Sequence, residues 1–188
     1  MGKLVVTEFI TLDGVIDDPG GSEGTERGGW AFRFERGDEG DKFKLDETMS
    51  SDAQLLGRVT YEGFAAAWPT REGEFADKFN EMPKFVASST LRDPEWSNTT
   101  VLNGHLREDV ARLKERFEGD ILVAGSATLV QSLLEQDLVD RLHLMVFPTV
   151  LGQGKRLFTD GPDARAFRLA STRQTGDVAI LVLERASA

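Results

Sequence analysis

The stretch ILVAGSATLVQSLLEQDLVDRLHLMVFPTVLGQGKRLF, Ile121 to Phe158, carries the order of elements that decides the fold. Together with Asp120 it opens on DILVAG, a short apolar run that reads as a buried strand. Ala124, Gly125, Ser126 and Ala127 are all small and join that strand to a helix. From Ser126 to Gln136 the residues Leu129, Val130, Leu133 and Leu134 recur at helical spacing. RLHLMVF, Arg141 to Phe147, is a further strand. The LGQGK of Leu151 to Lys155 lacks the first glycine of a Walker A motif, and strands rather than a strand-to-helix turn flank it. It is not a P-loop.

Outward from this segment toward the N terminus, strands and helices continue to alternate. Lys3 to Ile10 reads as a strand, Asp41 to Ser50 as a helix, and Ala53 to Leu56 as a short apolar strand. Thr60 to Ala67 is a helix stopped before Pro69. Strands follow at Lys84 to Ala87 and Thr99 to Leu102, and Leu106, Val110, Leu113 and Phe117 mark another helix. Toward the C terminus the pattern changes, because AFRLAST and DVAILVLER are strands with no helix between them. The order predicts an α/β fold: a doubly wound, mostly parallel central sheet with antiparallel C-terminal strands and helices on both faces. A length of 188 residues suits one domain spanning 1–188, and no repeat or linker divides it. Asp17 to Gly29, with five glycines and a proline, reads as a long functional or mobile loop.

Composition narrows the function. With 22 Lys+Arg against 32 Asp+Glu the formal charge is −10, which repels nucleic acid and anionic membranes but leaves room for a locally bound small anion. There is no run of about 20 apolar residues, so no membrane span is expected. MGKLVVTEFITLDG is not a signal peptide, since Thr7, Glu8 and Thr11 break its apolar run; a cytoplasmic location is expected. Without cysteine, and with only His105 and His143 as imidazoles, neither a disulfide nor a thiolate or histidine-rich metal site is expected.

Three strand-to-helix junctions stand out, at the place where α/β sheets bind ligands. In LLGRVTYEGF, Leu55 to Phe64, Arg58 puts a cation in the first turn of a helix, against the helix dipole. A phosphate on the free N–H groups there would turn Arg58 into a charge-assisted contact and use the Thr60 hydroxyl; the other reading is a glycine turn with a solvated arginine. FVASSTLRD places Ser88, Ser89 and Thr90 at a strand end with Arg92 beside them, which suits a phosphate monoester or an ordinary polar turn. ILVAGSATL lets a pyrophosphate lie against Gly125, Ser126 and Ala127, although no G-x-G-x-x-G fingerprint is present. In FITLDGVIDD, Asp13-Gly14 is a turn signal, and the segment reads as a lid over a ligand or simply as a turn. GGWAFRF alternates Trp30, Phe32 and Phe34, an apolar wall for a flat heterocycle or part of the core.

In this order, TLDGVI, LLGRVTYEGFAAAWP, FVASSTL, Ile121 to Phe158 and a final VAILVLER resemble the dihydrofolate reductase-like family. The similar branch is that of the reductase domain of the bifunctional riboflavin-biosynthesis deaminase/reductase, and the resemblance spans essentially the whole chain. It implies NADPH as cofactor, with Gly57, Arg58 and Thr60 on phosphate. It further implies Ser88, Ser89 and Thr90 at the adenosine phosphate, and Gly125, Ser126 and Ala127 under the pyrophosphate. Thr11, Leu12, Gly14, Val15, Ile16 and Trp30 would line the nicotinamide and substrate. A homodimer and hydride transfer to a small heterocycle are implied as well, the alternative being a nucleotide-binding protein of the same fold without turnover. Proton delivery would fall to Asp41, 16 residues before Gly57, or to a water held near Asp13. Asp38, Glu39, Asp46 and Glu47 neighbour Asp41, and each of these acids reads as solvated surface. Two departures stand: Ala124-Gly125 replaces the family's double glycine, and Phe64 lies where riboflavin reductases carry an acid.

Overall fold

The computed structural model describes residues 1–160 and 164–186. One eight-stranded sheet forms its centre, in the order β4-β3-β2-β5-β1-β6-β8-β7. The strands are β1 (Leu4–Thr11), β2 (Ser51–Gly57), β3 (Lys84–Ala87), β4 (Thr99–Leu102), β5 (Asp120–Val123), β6 (Arg141–Phe147), β7 (Phe167–Thr175) and β8 (Val178–Arg185). All pairs from β4 to β6 are parallel, and β6–β8 and β8–β7 are antiparallel. The helices are α1 (Gly37–Met49), α2 (Arg58–Ala67), α3 (Glu74–Glu81), α4 (Leu106–Arg116) and α5 (Ala127–Glu135).

Chain direction assigns the helices to faces. The β1-α1-β2 and β2-α2-α3-β3 connections step one way along the sheet, and β4-α4-β5 and β5-α5-β6 step back, so right-handed crossovers put the two groups on opposite faces. The cores agree. Leu55 of β2 and Ile121 of β5 pack with Val110, Leu113 and Val130 of α4 and α5, whereas Leu56 packs with Tyr61 and Phe79 of α2 and α3. Period-2 alternation along β2 therefore feeds both layers. A third cluster joins Trp30, Met145, Phe147 and Ile180 beneath Phe9 and Phe43.

Three differences from the sequence reading have local causes. α1 starts four residues earlier than Asp41, at Gly37, because Thr175 Oγ1 donates to Arg36 O and anchors the helix start on the end of β7. Helix α3 is absent from the sequence reading; only two turns long, it buries Ala76 and Phe79 and packs the rings of Phe75 and Phe79 against Phe64 and Trp68 at the end of α2. Trp30–Arg33 is a 3₁₀ turn, so positions two apart do not share a side: Trp30 is fully buried while Phe32 is 78% exposed.

Candidate functional site

β5 leaves the sheet early. Its last partner on β1 is Val6, while β1 runs on beside β6 to Thr11, so a crevice opens between the ends of β5 and β1. Here adjacent strands send their following helices, α5 and α1, to opposite faces of the sheet, the kind of switch point at which α/β sheets bind ligands. A cavity of about 690 Å³ occupies it, reaching from Glu8 and Gln54 on the sheet to Lys44 on α1 and to the starts of α2 and α5. Phe64, Trp68, Phe75 and Phe79 form an aromatic wall, with Trp68 and Phe75 stacked at 5.1 Å.

The sheet order places the three junctions side by side, because β3, β2 and β5 are consecutive neighbours. Gly57 pairs with Ala87, the residue before Ser88, and the Gly57 N–H donates to Gly125 O at 3.1 Å. The starts of α2 and α5 thus meet. Neither Gly57 nor Ser126 caps its helix with a side chain, so the first-turn N–H groups of both remain without a side-chain acceptor. No room exists for larger residues: a Cβ on Gly57 would lie 2.2 Å from Ser126 Oγ, and one on Gly125, whose φ is +103°, would lie 2.7 Å from Thr60 Oγ1. Thr60, Gly125, Ser126 and Ala127 line the cavity. Arg58 sits on the exposed side of α2 and donates to Glu62 at 3.0 Å in an i,i+4 pair. Ser88, Ser89 and Thr90 lie outside the cavity; Ser88 Oγ accepts the N–H groups of Thr90 and Leu91, and Arg92 folds back onto Ser89 O.

The proposed lid is a clamped turn. Leu12 N–H donates to Thr149 O and Ile16 N–H to Lys155 O, while Val15 bridges to Arg156. Of Thr11, Leu12, Gly14, Val15 and Ile16, only Ile16 reaches the cavity wall; Thr11 and Val15 are buried, and Leu12 is 64% exposed. Trp30 is likewise no wall residue, because it packs edge-on against Phe147 in the core and Ala31 and Phe32 line the cavity in its place. The Asp17 to Gly29 loop is tied by buried Asp18, which accepts the N–H groups of Glu23 and Thr25 and the Thr25 hydroxyl.

Neither expected acid is placed to give a proton. Asp13 accepts the Thr11 hydroxyl at 2.6 Å and the N–H groups of Leu151 and Gly152, and these bonds, the hydroxyl first, hold its carboxyl down at about 2. It lies outside the cavity and serves as a turn acceptor. Asp13→Ala should therefore cost about 1–2 kcal/mol in chemical denaturation by orphaning three donors. Because its folded value lies below 3.8, the wild type's advantage is full above about pH 4 and is lost as pH falls through about 2. Asp41 does line the cavity, but its side chain is 65% exposed and pairs with Arg36 at 2.8 Å.

Two further acids, Glu47 and Glu8, are buried beside the cavity. Glu47, taken in the sequence reading for solvated surface, is buried on α1, where it accepts from Thr7 Oγ1 at 2.9 Å, contacts His143 Nδ1 at 2.9 Å and pairs with Lys44. Burial would raise its pKa, but Lys44 and His143 outweigh that and hold it below the ordinary range. Glu8 lies in the middle of β1, 7% exposed, and lines the cavity. Among the described residues none hydrogen-bonds to its carboxyl, and Oε1 is sealed without a partner. Burial pushes Glu8 up to about 8, against the pull of Lys44 and with a smaller push from Glu23, so it carries its proton at neutral pH. Its signal was an acid inside the apolar strand LVVTEFIT, since a buried acid needs a reason. Among the described residues, Gln54 Oε1, also on the cavity wall, is the other buried side-chain oxygen without a partner.

Comparison with known proteins agrees with this architecture. The model of the RibD C-terminal domain matches residues 2–181. The Bacillus subtilis (strain 168) protein YwjB, described as uncharacterized, is 30% identical over 184 residues, covering 98% of each chain. Among solved structures, a putative riboflavin biosynthesis protein from Shewanella sp. PV-4 superposes with a TM-score of 0.80 at 20% identity, over 98% of this chain and 99% of that one. Dihydrofolate reductase from Enterococcus faecalis, complexed with NADP(H), gives a TM-score of 0.57 at 15% identity, over 99% and 98%. Both share the fold: a mostly parallel sheet with antiparallel C-terminal strands.

Proposed function

The chain belongs to the RibD C-terminal domain family, and from that premise we propose that it is an NADPH-dependent reductase acting on a C=N or C=O bond of a small heterocycle. The observation that carries this reading is the meeting of two helix starts without side-chain caps, at Gly57 and Ser126, beside a cavity walled by aromatic rings. Backbone N–H groups at converging helix starts, with the Ser126 and Thr60 hydroxyls beside the two glycines, suit the phosphates of a dinucleotide. The donor set fits the cofactor.

Gly57, Thr60, Gly125, Ser126 and Ala127 would hold the pyrophosphate region, with Arg58 turning from Glu62 toward phosphate. Ser88, Ser89 and Thr90, with Arg92, would meet the adenosine phosphate, one strand away across β3. When bound, the nicotinamide supplies hydride, and the protein's part is to hold the substrate and exclude water. Phe64, Trp68 and Phe75 offer flat apolar surface to a heterocycle, and Gln54 Oε1 offers an unused acceptor to a ring N–H or amino group.

The test is thermal stabilisation of the protein by NADPH against NADH, followed by NADPH oxidation with the riboflavin-pathway aminopyrimidinone and with dihydrofolate. Stabilisation by NADPH with oxidation supports the reading. Stabilisation without oxidation by either substrate points to the nucleotide-binding alternative, and no stabilisation by either nucleotide sinks both. Within this reading Arg58→Ala should raise the NADPH Kd about tenfold, as for a lost bond to a charged group, and leave Tm nearly unchanged because the Glu62 pair is exposed. Isothermal titration beside a melting curve checks both halves.

A further inference from the structure

We propose that Glu8 is the proton donor of the reduction, a role that rests on the reductase reading. The carboxyl stands at the crevice between β5 and β1, more than nine-tenths buried, with one oxygen sealed and no described residue bonded to it. A buried acid without a partner is costly and is retained where a ligand completes it. Of the other acids lining the cavity, Asp41 is tied to Arg36, Glu47 to Lys44, Thr7 and His143, and Asp18 to the loop backbone, while Asp17 is half-buried and Glu23 and Glu74 are exposed to water. Among the described acids of the cavity, Glu8 is the one that is both buried and without a partner, held away from bulk water and free to hand over a proton.

The step balances. Hydride from the dihydronicotinamide adds to the carbon of the substrate C=N or C=O bond, the π bond breaks, and its electron pair passes to the heteroatom. Glu8 O–H gives that heteroatom its proton, leaving a reduced substrate, an oxidised nicotinamide and a Glu8 carboxylate that regains a proton from water. The charged groups acting on Glu8 are Lys44 on α1, which favours the carboxylate, and Glu23 on the loop, which opposes it; Glu47 neutralises Lys44 from the same helix, and Lys155 offsets Glu23. The donor therefore remains protonated through neutral pH and is lost as pH rises through about 8.

Glu8→Gln keeps the shape and neutrality of the protonated acid but has no proton to give at this task. The variant should fold, bind NADPH as the wild type does, and reduce substrate at least about 100-fold more slowly, with the alkaline limb near pH 8 gone. Independently of turnover, infrared difference spectra of wild type against Glu8→Gln should show a protonated carboxyl at neutral pH that ionises near pH 8. Melting curves should show the wild type losing stability relative to the variant as pH rises from about 5 to about 9. A carboxylate across that whole range overturns the proposal, as does a Glu8→Gln enzyme with wild-type rate or an unchanged alkaline limb. If the wild type neither binds nor oxidises NADPH, the reductase reading itself fails and the donor role goes with it. A wild type that does both while Glu8→Gln is unimpaired defeats this assignment alone.

Discussion

Gly57→Ala is expected to weaken NADPH binding more than 100-fold while lowering the melting temperature by only about 5 °C. The backbone at Gly57, with φ −79° and ψ 159°, is extended and accepts any residue, so the effect is one of space. The added methyl would lie 2.2 Å from Ser126 Oγ and 2.9 Å from the Ser126 backbone nitrogen. A hydroxyl can rotate away, but a backbone nitrogen moves only with its helix. The starts of α2 and α5 must therefore separate and strain the Gly57 N–H to Gly125 O bond. Overpacking of this kind costs about 1–3 kcal/mol, and at this chain length each kcal/mol is worth about 2–4 °C. Binding suffers more because the two sets of N–H groups must converge on one ligand, and a misplacement of a few tenths of an ångström is shared by every bond. Adding Ser126→Gly removes the two side-chain contacts but not the backbone one, so it should restore part of the Tm and little of the affinity. A Gly57→Ala protein that melts early yet binds NADPH normally would remove this pair of helix starts from the site.

The contrast between what could be read in the sequence and what could not follows from the range of the interactions. The parallel strands β2, β3, β5 and β6 were legible because each is a short apolar run, and α4 and α5 because Leu113 or Leu133 repeats at helical spacing. The three junctions were legible as glycine, hydroxyl and small-residue turns, yet only the sheet order shows that they are neighbours. The partners of the charged groups were not legible. Asp13 and Glu8 lie five residues apart, and sequence alone offers no way to see that one accepts three hydrogen bonds while the other has no partner. Glu47 looked like its exposed neighbours Asp46 and Asp41 because α1 has little amphipathic pattern, and Thr7 and His143, which bury it, come from 40 and 96 residues away. Trp30 could be read from its alternation with Phe32 and Phe34 as a wall or as core, and the 3₁₀ turn that separates it from Phe32 places it in the core.

Lys44→Met should be the most destabilising of the single changes considered, by about 3–5 kcal/mol at neutral pH. Lys44 Nζ pairs with Glu47 and donates to Thr7 Oγ1 at 2.8 Å, while Thr7 Oγ1 and His143 Nδ1 meet the same carboxylate. The lysine side chain is 19% exposed and that of Glu47 only 4%. Removing the lysine head therefore strands a negative charge that water cannot reach, the case in which breaking a buried pair costs far more than the pair is worth. Methionine keeps most of the stem, so lost packing contributes little. The sign of the pH dependence separates this cause from a packing defect. In the wild type Glu47 is held below its ordinary pKa, so its contribution to stability is present above about pH 4.5 and fades as pH falls. In Lys44→Met, burial dominates and the carboxyl takes up a proton more readily than in the unfolded chain. The variant should consequently regain stability relative to wild type as pH is lowered from about 8 to about 5, and Lys44→Met/Glu47→Gln should recover much of the loss at every pH. A deficit that stays constant across that range, or is not relieved by the second change, would mean that Lys44 supports α1 by packing and that the Glu47 charge is satisfied by Thr7 and His143 alone.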